Sequence, residues 1–578
     1  MKIHFINVFI CFLALSLQAQ TQFVDATSQY QILHSYGKGT AGGGVSFVDF
    51  DNNGYDDISL ASSEQRPIIF YKNNNGILSK IDLLPGFLEE VKSILWVDFD
   101  NDGDKDLFLA LANNHNKLFE NKGNLSLFDI SETSGISLIK NTSFGACWGD
   151  YNRDGLLDLY VGERRIQTTG ELNVSVLYKN NGNKTFTDVS TSTNSLDAGK
   201  TPFCSSFIDY NNDMWPDIYT AHDRNRGNTL LENNNGQNFA SVGFEKGCDL
   251  KMNGMSVSVA DINNDGWQEI YVSNTTEGNA LFFNENGNFR NLSDSLGVSF
   301  NGVAWGTNFL DADNDGDQDL YVSSMLIGKN MITSSYYENQ FPQLKFTKEN
   351  HAPSDTVSSF NNAIGDINKD GFYDIIVSNS EFPTALFKNT GNSNSFVSIR
   401  LKGVLSNRDG IGAKIKAISN GTTQYHYTQC GIGFLGQNSD QILLGLAQND
   451  EVDSIIILWP TGHIDVFTNL QKSKWYEFYE GQSTNNIINV DPSIVLFTQI
   501  SEIESIGIYP NPASDKLIIK HNQSIDFLSM YNQFGNLVLQ DNLKNGEVNI
   551  SSLKNGMYFI KLIDKNKNYI IKKVIIQK

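Results

Sequence analysis

Positive charge is scarce in this chain: 43 lysines and arginines face 65 aspartates and glutamates, a formal net charge of −22 over 578 residues. That balance argues against nucleic acid as a partner, which calls for a basic face. Cysteine is scarce too. Of five, Cys11 lies in the leading stretch, leaving Cys147, Cys204, Cys248 and Cys430. Four cysteines allow three full pairings, and the sequence chooses neither among these nor against buried free thiols. No Cys/His spacing of the metal-binding kind occurs. Beyond the N-terminus no apolar run is long enough to cross a membrane as a helix. Nucleophile-elbow, P-loop, HExxH and dinucleotide fingerprints are all missing.

What is there begins with a leader. Lys2 precedes an apolar run from Phe5 to Leu17, and Leu17-Gln18-Ala19 closes it. Residues 1–19 read as a secretory signal peptide cleaved near Ala19. Export also permits disulfides.

The rest is organised by a nine-residue pattern occurring seven times, with starts 49, 52, 59, 52, 50 and 55 residues apart. A near-constant period of this length marks a repeat architecture. Positions 1, 3, 5 and 9 carry an acid or amide in every copy. They are Asp49, Asp51, Asn53, Asp57; Asp98, Asp100, Asp102, Asp106; Asp150, Asn152, Asp154, Asp158; and Asp209, Asn211, Asp213, Asp217. The last three sets are Asp261, Asn263, Asp265, Glu269; Asp311, Asp313, Asp315, Asp319; and Asp366, Asn368, Asp370, Asp374. Oxygens at alternate positions of a tight loop suit a hard cation, and calcium takes about six to eight of them. Glycine at position 6 permits the sharp turn; Met214 replaces it in the fourth copy. An EF-hand needs Glu at position 12, where these loops have Leu60, Leu109, Val161, Thr220, Val272, Val322 and Val377, so EF-hands are excluded. Up to seven structural Ca²⁺ are expected, the fourth loop being the weakest. The 23 carboxylates at these positions account for much of the acidity.

Each loop lies between two apolar runs of strand length, such as ILWVDF at 94 and DLFLAL at 106. A third run ends in an Asn-rich turn, as at Asn121 to Gly123, and a fourth follows. Four antiparallel strands per repeat, seven times over, predict an all-β chain headed by a seven-bladed β-propeller over 20–393. Phe23 to Thr27 matches a fourth strand, which the seventh repeat lacks, so the N-terminus is expected to complete that blade and close the ring.

These repeats resemble the FG-GAP (VCBS-type) repeats of the integrin α-chain propeller, which implies calcium in the loop between the first two strands of a blade. Residues 394–481 alternate strand-like runs with Gly/Asn turns and carry Asn407-Arg408-Asp409-Gly410, Gly431-Ile-Gly433-Phe434 and Trp459-Pro460. This β-rich module resembles the ASPIC/UnbV module of the cartilage acidic protein family, a likeness that implies no function. Trp459-Pro460 reads most simply as a packing and turn feature. Residues 482–507 read as a linker. From 508 to 578 the chain carries Tyr509-Pro510-Asn511-Pro512, Leu553 to Tyr558 and a basic end. It resembles a type A C-terminal sorting domain of the type IX secretion system, a small β-sandwich. The resemblance implies export by that machinery, removal of the domain, and a secreted or outer-membrane cell-surface product.

A ligand site is sought on the face opposite the acidic loops. There the loops between second and third strands bring His115, then Glu163, Arg164 and Arg165, then His222, Asp223 and Arg224 onto neighbouring blades. The resulting expectation is a secreted or surface calcium-binding protein for a glycan or extracellular protein ligand, without catalytic residues. The alternatives are a polysaccharide lyase or hydrolase acting on that face through a His or Tyr base and Arg neutralisation, and a scaffold.

Overall fold

The computed structural model describes residues 23–39, 41–164, 173–327, 331–349, 356–483, 507–509, 513–520, 525–532, 537–541, 546–564 and 569–578. The signal-peptide segment, Arg165 and the linker from 484 to 506 lie outside the described residues. The chain is all-β, as the periodic runs require. Between residues 23 and 389 it forms seven four-stranded antiparallel sheets. The first strands, Val45–Val48, Val91–Val97, Thr142–Gly149, Pro202–Ile208, Val257–Ala260, Val303–Leu310 and Ser359–Gly365, pack each against the next and the last against the first. The sheets therefore stand in a closed ring, the arrangement of a β-propeller.

Burial explains the composition along each sheet. Val91–Val97 is buried throughout, so it reads as a continuous apolar run, whereas the outer strand Phe186–Asp188 buries only its first residue. Aromatic side chains weld adjacent sheets: Phe50 stacks on Trp96 with centroids 4.8 Å apart, and Trp148 lies against Phe99 and Phe186. Phe23–Asp25 pairs antiparallel with Ala385–Asn389, Phe23 opposite Asn389. The N-terminal strand thus supplies the fourth strand of the seventh sheet, as expected.

The module after the ring holds two sheets. Ser395–Lys402 lies between Ile442–Ala447 and Lys474–Tyr479, and Lys414–Ser419 lies between Thr422–Tyr427 and Glu451–Leu458, which also pairs with Ile464–Gln471. Trp459 is fully buried in its core and donates Nε1–H to Asp465 at 2.8 Å. Glu480 accepts the backbone N–H groups of Val404, Leu405 and Ser406 at 2.7–2.9 Å, tying down the turn before the Asn407 motif.

The Gly431-Ile-Gly433-Phe434 motif has an unexpected place. Residues 429–439 run into the middle of the ring and touch all seven first strands. Gln437 exchanges backbone hydrogen bonds with Val45 and Phe47, and its side chain bonds both the N–H and the C=O of Trp96. Cys430 accepts from Trp148, Gly433 pairs with Val257, and Ser439 donates to Ile364. Gln429 and Asn438 reach Phe207 and Asn308. Phe434 is fully buried against Phe203 and Trp305. The glycines are steric requirements: Gly431 has φ +80°, and a Cβ there would sit 2.2 Å from the Ala146 carbonyl oxygen. The four remaining cysteines are buried free thiols. Burial pushes Cys204 and Cys248 up to about 12, which removes thiolate reactivity near neutral pH.

The C-terminal segment pairs Gly507–Tyr509, Lys516–Lys520 and Glu547–Asn549 in one sheet, and Leu537–Asp541, Ile525–Asn532, Gly556–Asp564 and Tyr569–Ile576 in another. Leu517, Leu528, Val548, Ile560 and Val574 form a common core. Among the described residues no helix is long and apolar enough to cross a membrane.

Candidate metal centres

Each acidic loop joins the first and second strands of its sheet and folds on its own side chains. The position-1 carboxylate accepts the N–H groups of positions 5 and 6; for Asp98 these come from Asp102 at 3.0 Å and Gly103 at 2.8 Å. The position-5 side chain accepts the N–H of position 7, as Asp102 does from Asp104 at 3.0 Å. These bonds curl the backbone so that the acidic side chains of positions 1 and 3 meet that of position 9 or position 5. In three loops, carboxylate oxygens of three residues lie within 4.8 Å of one another: Asp49, Asp51 and Asp57; Asp98, Asp100 and Asp106; and Asp311, Asp313 and Asp315. Asn152, Asn211, Asn263 and Asn368 hold position 3 in the other four loops.

The donors fit a hard cation. Asn263 Oδ1, Asn368 Oδ1 and Asp217 Oδ2 are buried in their loops without a hydrogen-bond partner. The carboxylates are also too crowded to stay charged unaided. Burial first, then the position-5 carboxylate, pushes Asp150, Asp261 and Asp366 up to about 7. Burial, then neighbouring acids, holds Asp106, Asp158 and Asp374 well above the carboxylate range. Ammonium groups are drawn in wherever they reach: Lys184 lies 2.8 Å from Asp100, Lys388 lies 3.1 Å from Asp370, and Lys72 pairs with Asp51.

The fourth loop keeps its shape despite Met214. That residue adopts φ +74°, and its N–H still reaches Asp209 at 2.9 Å. Left-handed backbone at a non-glycine residue costs ~1–2 kcal/mol. Here the module contributes a cation of its own, the Lys414 ammonium 2.6 Å from Asp209. Arg400 sits similarly 2.7 Å from Asp49 in the first loop.

Two asparagine sets escaped sequence reasoning. Asn73, Asn121, Asn180, Asn233, Asn284, Asn339 and Asn389 stand at or next to the ends of the third strands. Each donates its N–H to the position-9 carboxylate at 2.6–3.3 Å. Six of them also donate Nδ2–H to the position-2 carbonyl of the preceding sheet's loop, as Asn180 does to Phe99 at 2.8 Å. Position 9 is therefore a structural hub as well as a candidate ligand. At position 4, Asn52, Asn101, Asn212, Asn264 and Asn314 donate to the position-6 carbonyl of the following loop at 2.8–3.1 Å. Where that partner would be Met214, position 4 is Arg153, which turns instead to Pro460 of the module at 2.6 Å. The signal was an Asn at position 4 in five of the seven loops and an Asn at or beside the end of every third apolar run.

The opposite face corrects an expectation. Glu163 is buried and accepts from Asn141 at 2.9 Å. Arg164 lies 3.8 Å from the Phe203 ring centroid and bonds Asp223 at 3.3 Å and the Pro202 carbonyl at 3.0 Å. His222 is fully buried, 2.8 Å from Asp197. Burial also lowers the His222 pKa, against the pull of Asp197. These three side chains are consumed by internal partners and do not offer a ligand face. Half-buried His115 and exposed Arg224 remain near solvent, and Asp223 is committed to Arg164.

Family models match three parts of the chain: FG-GAP-like repeat at 49–109, 98–161, 209–272 and 261–322; ASPIC and UnbV at 403–485; and secretion system C-terminal sorting domain at 507–577. No curated protein matches it. Among solved structures, the extracellular domain of a putative hybrid two-component system from B. thetaiotaomicron is 11% identical at TM-score 0.40, covering 96% of this chain and 78% of that one. BBS1N in complex with ARL6DN is 11% identical at TM-score 0.39, covering 62% and 96%. The extracellular domain of a putative one-component system from B. thetaiotaomicron is 10% identical at TM-score 0.36, covering 97% and 60%.

Proposed function

Taking the chain as an FG-GAP-repeat protein with an ASPIC/UnbV domain and a secretion-system C-terminal sorting domain, we propose that it is a calcium-binding protein acting outside the cell by binding a ligand. The sorting domain supports a secreted or cell-surface destination and an encounter with the secretion machinery. The observation that carries the calcium reading is the convergence of three aspartates within 4.8 Å in each of three loops. Carboxylate, amide and backbone oxygens on a flexible loop suit Ca²⁺ better than softer metals. The loops lie between strands of a closed ring, so the ion's role is to neutralise buried carboxylates and fix the ring.

A binding role toward a glycan or an extracellular protein is supported by the secreted or cell-surface destination that the sorting domain implies. Glu163, Arg164 and His222, which would have served a lyase, are engaged by internal partners, so no second reading is favoured. Two measurements test the proposal. Calcium should raise the melting temperature and titrate to several ions per chain; an unchanged melt in excess chelator would sink the metal assignment. Columns of acidic and neutral polysaccharides should retain the protein without releasing new chain ends; new chain ends would move it to the enzymes.

A further inference from the structure

Between the loop face of the ring and the module lies a cavity of about 260 Å³. Trp267 of the fifth loop and Gln318 of the sixth line it from the ring. Tyr425, His426 and Tyr427 line it from the module's edge strand Thr422–Tyr427, and Gln429 from the segment that follows. His426 is half-buried on the cavity wall, no protein group hydrogen-bonds its ring, and burial pushes its pKa down to about 4. At neutral pH it is an uncharged imidazole offering one donor and one acceptor. Gln429 spends its amide N–H groups on Ser206 and Phe207, which leaves its amide oxygen.

The charges around the cavity are already engaged, Lys416 lying over the Tyr425 ring at 5.5 Å from its centroid. Lys414 is held by Asp209, and Lys105 by Asp409 at 2.7 Å and Asp440 at 3.2 Å. Asp261 and Asp265 accept backbone N–H groups of their own loop. What remains is three aromatic rings beside neutral donors and acceptors. Sugars match that set: their C–H faces pack on aromatic rings, and their hydroxyls both donate and accept.

We propose that this cavity is a carbohydrate site for a neutral monosaccharide or the end of a neutral glycan. Trp267, Tyr425 and Tyr427 face the ring of the sugar, and His426 and Gln429 take its hydroxyls. The proposal rests on the binding-protein reading and gives it a ligand class and a place.

The test is calorimetric titration of the full chain, in calcium, with galactose, mannose, fucose and N-acetylglucosamine, and with glucuronate as a charged comparison. The same protein is run on polysaccharide columns. At least one neutral sugar should give saturable heat. His426→Ala should weaken it by about tenfold or more at unchanged melting temperature, and His426→Gln, which keeps a donor and an acceptor, should recover part of it. The proposal is overturned if no neutral sugar binds, if only glucuronate binds, or if both variants bind within about twofold of the parent. Equal column retention of parent and variants would keep the binding-protein reading while removing this cavity from it. A sugar that titrates without any column retention would keep the cavity and remove the surface-adhesion role.

Discussion

On the loop face, Asp209 holds the Lys414 ammonium of another domain at 2.6 Å, and Asp49 holds Arg400 at 2.7 Å. On the opposite face, Arg164 is spent on Asp223 and on carbonyls of its neighbouring strand, and His222 on Asp197. The residue types are alike and the outcomes differ because of how each face is built. A loop with a fixed turn aims three like charges at one point, and like charges need an external cation. A loop of free sequence lets opposite charges find each other, as Arg164 finds Asp223 and His222 finds Asp197.

The largest effect that would test this contrast is metal removal. At a Kd of ~10⁻⁴ M and ~2 mM calcium, each filled site adds about 1.8 kcal/mol. Several sites together approach the whole stability margin of ~5–15 kcal/mol. Excess chelator is therefore expected to lower the melting temperature by about 10 °C or more, read by calorimetry. Truncating Glu163 or His222 should destabilise without changing the calcium response. If it abolishes that response, the two faces are not independent.

Next comes the segment inside the ring. Gln437→Ala leaves the N–H and C=O of Trp96 unpaired in a buried site, at a cost of about 3 kcal/mol. Denaturant melts of this variant should show an earlier transition, and proteolysis should cut between ring and module. A melt matching the parent would mean that the segment merely fills space.

A comparable effect is expected from pH in saturating calcium. Burial pushes His34 down to about 4, with Arg66 and Lys80 adding to the shift, while its ring bonds Thr384 at 2.7 Å and Ala61 at 3.0 Å. A lowered histidine pKa means that the folded state binds fewer protons. Its contribution is present above about 6.5 and is lost as pH falls toward 4, on the order of 3 kcal/mol across the window. The melting temperature should fall from pH 7 to pH 5, and less so in His34→Gln. The smallest effect belongs to the fourth loop. Met214→Gly should stabilise by about 1 kcal/mol by relieving its left-handed backbone, and the variant's calcium stoichiometry should be no lower than the parent's.

Much of this architecture was legible in the residues. Alternating acids with a glycine at position 6 marked the loops, and the apolar runs on either side marked first and second strands. The matching of Phe23 to a fourth strand gave the closure of the ring, because a sheet one strand short must take that strand from elsewhere. The site was legible only where the signal was local. Position 4 and the third-strand asparagines act across sheets, so single repeats gave no reason to separate them from turn residues. The loop containing His222 looked solvent-facing because histidine and arginine are polar. Which side of a strand they face depends on Asp197 and Phe203, and pairing of that kind has no local signature. The Gly431-Ile-Gly433-Phe434 motif was visible, but Gly431 answers to a carbonyl of Ala146, 285 residues earlier, and Gly433 to one of Thr307, 126 residues earlier.

That reach across the chain also sets an order in time. Six of the seven sheets are assembled from neighbouring stretches of sequence, and such contacts form quickly. The bond between Ser46 and Gln437 joins residues 391 apart, and closing so long a loop costs about 2 kcal/mol more than closing one of ~50 residues. Blades are therefore expected to form early and separately, and the segment that carries Gln437 to dock inside the ring after them.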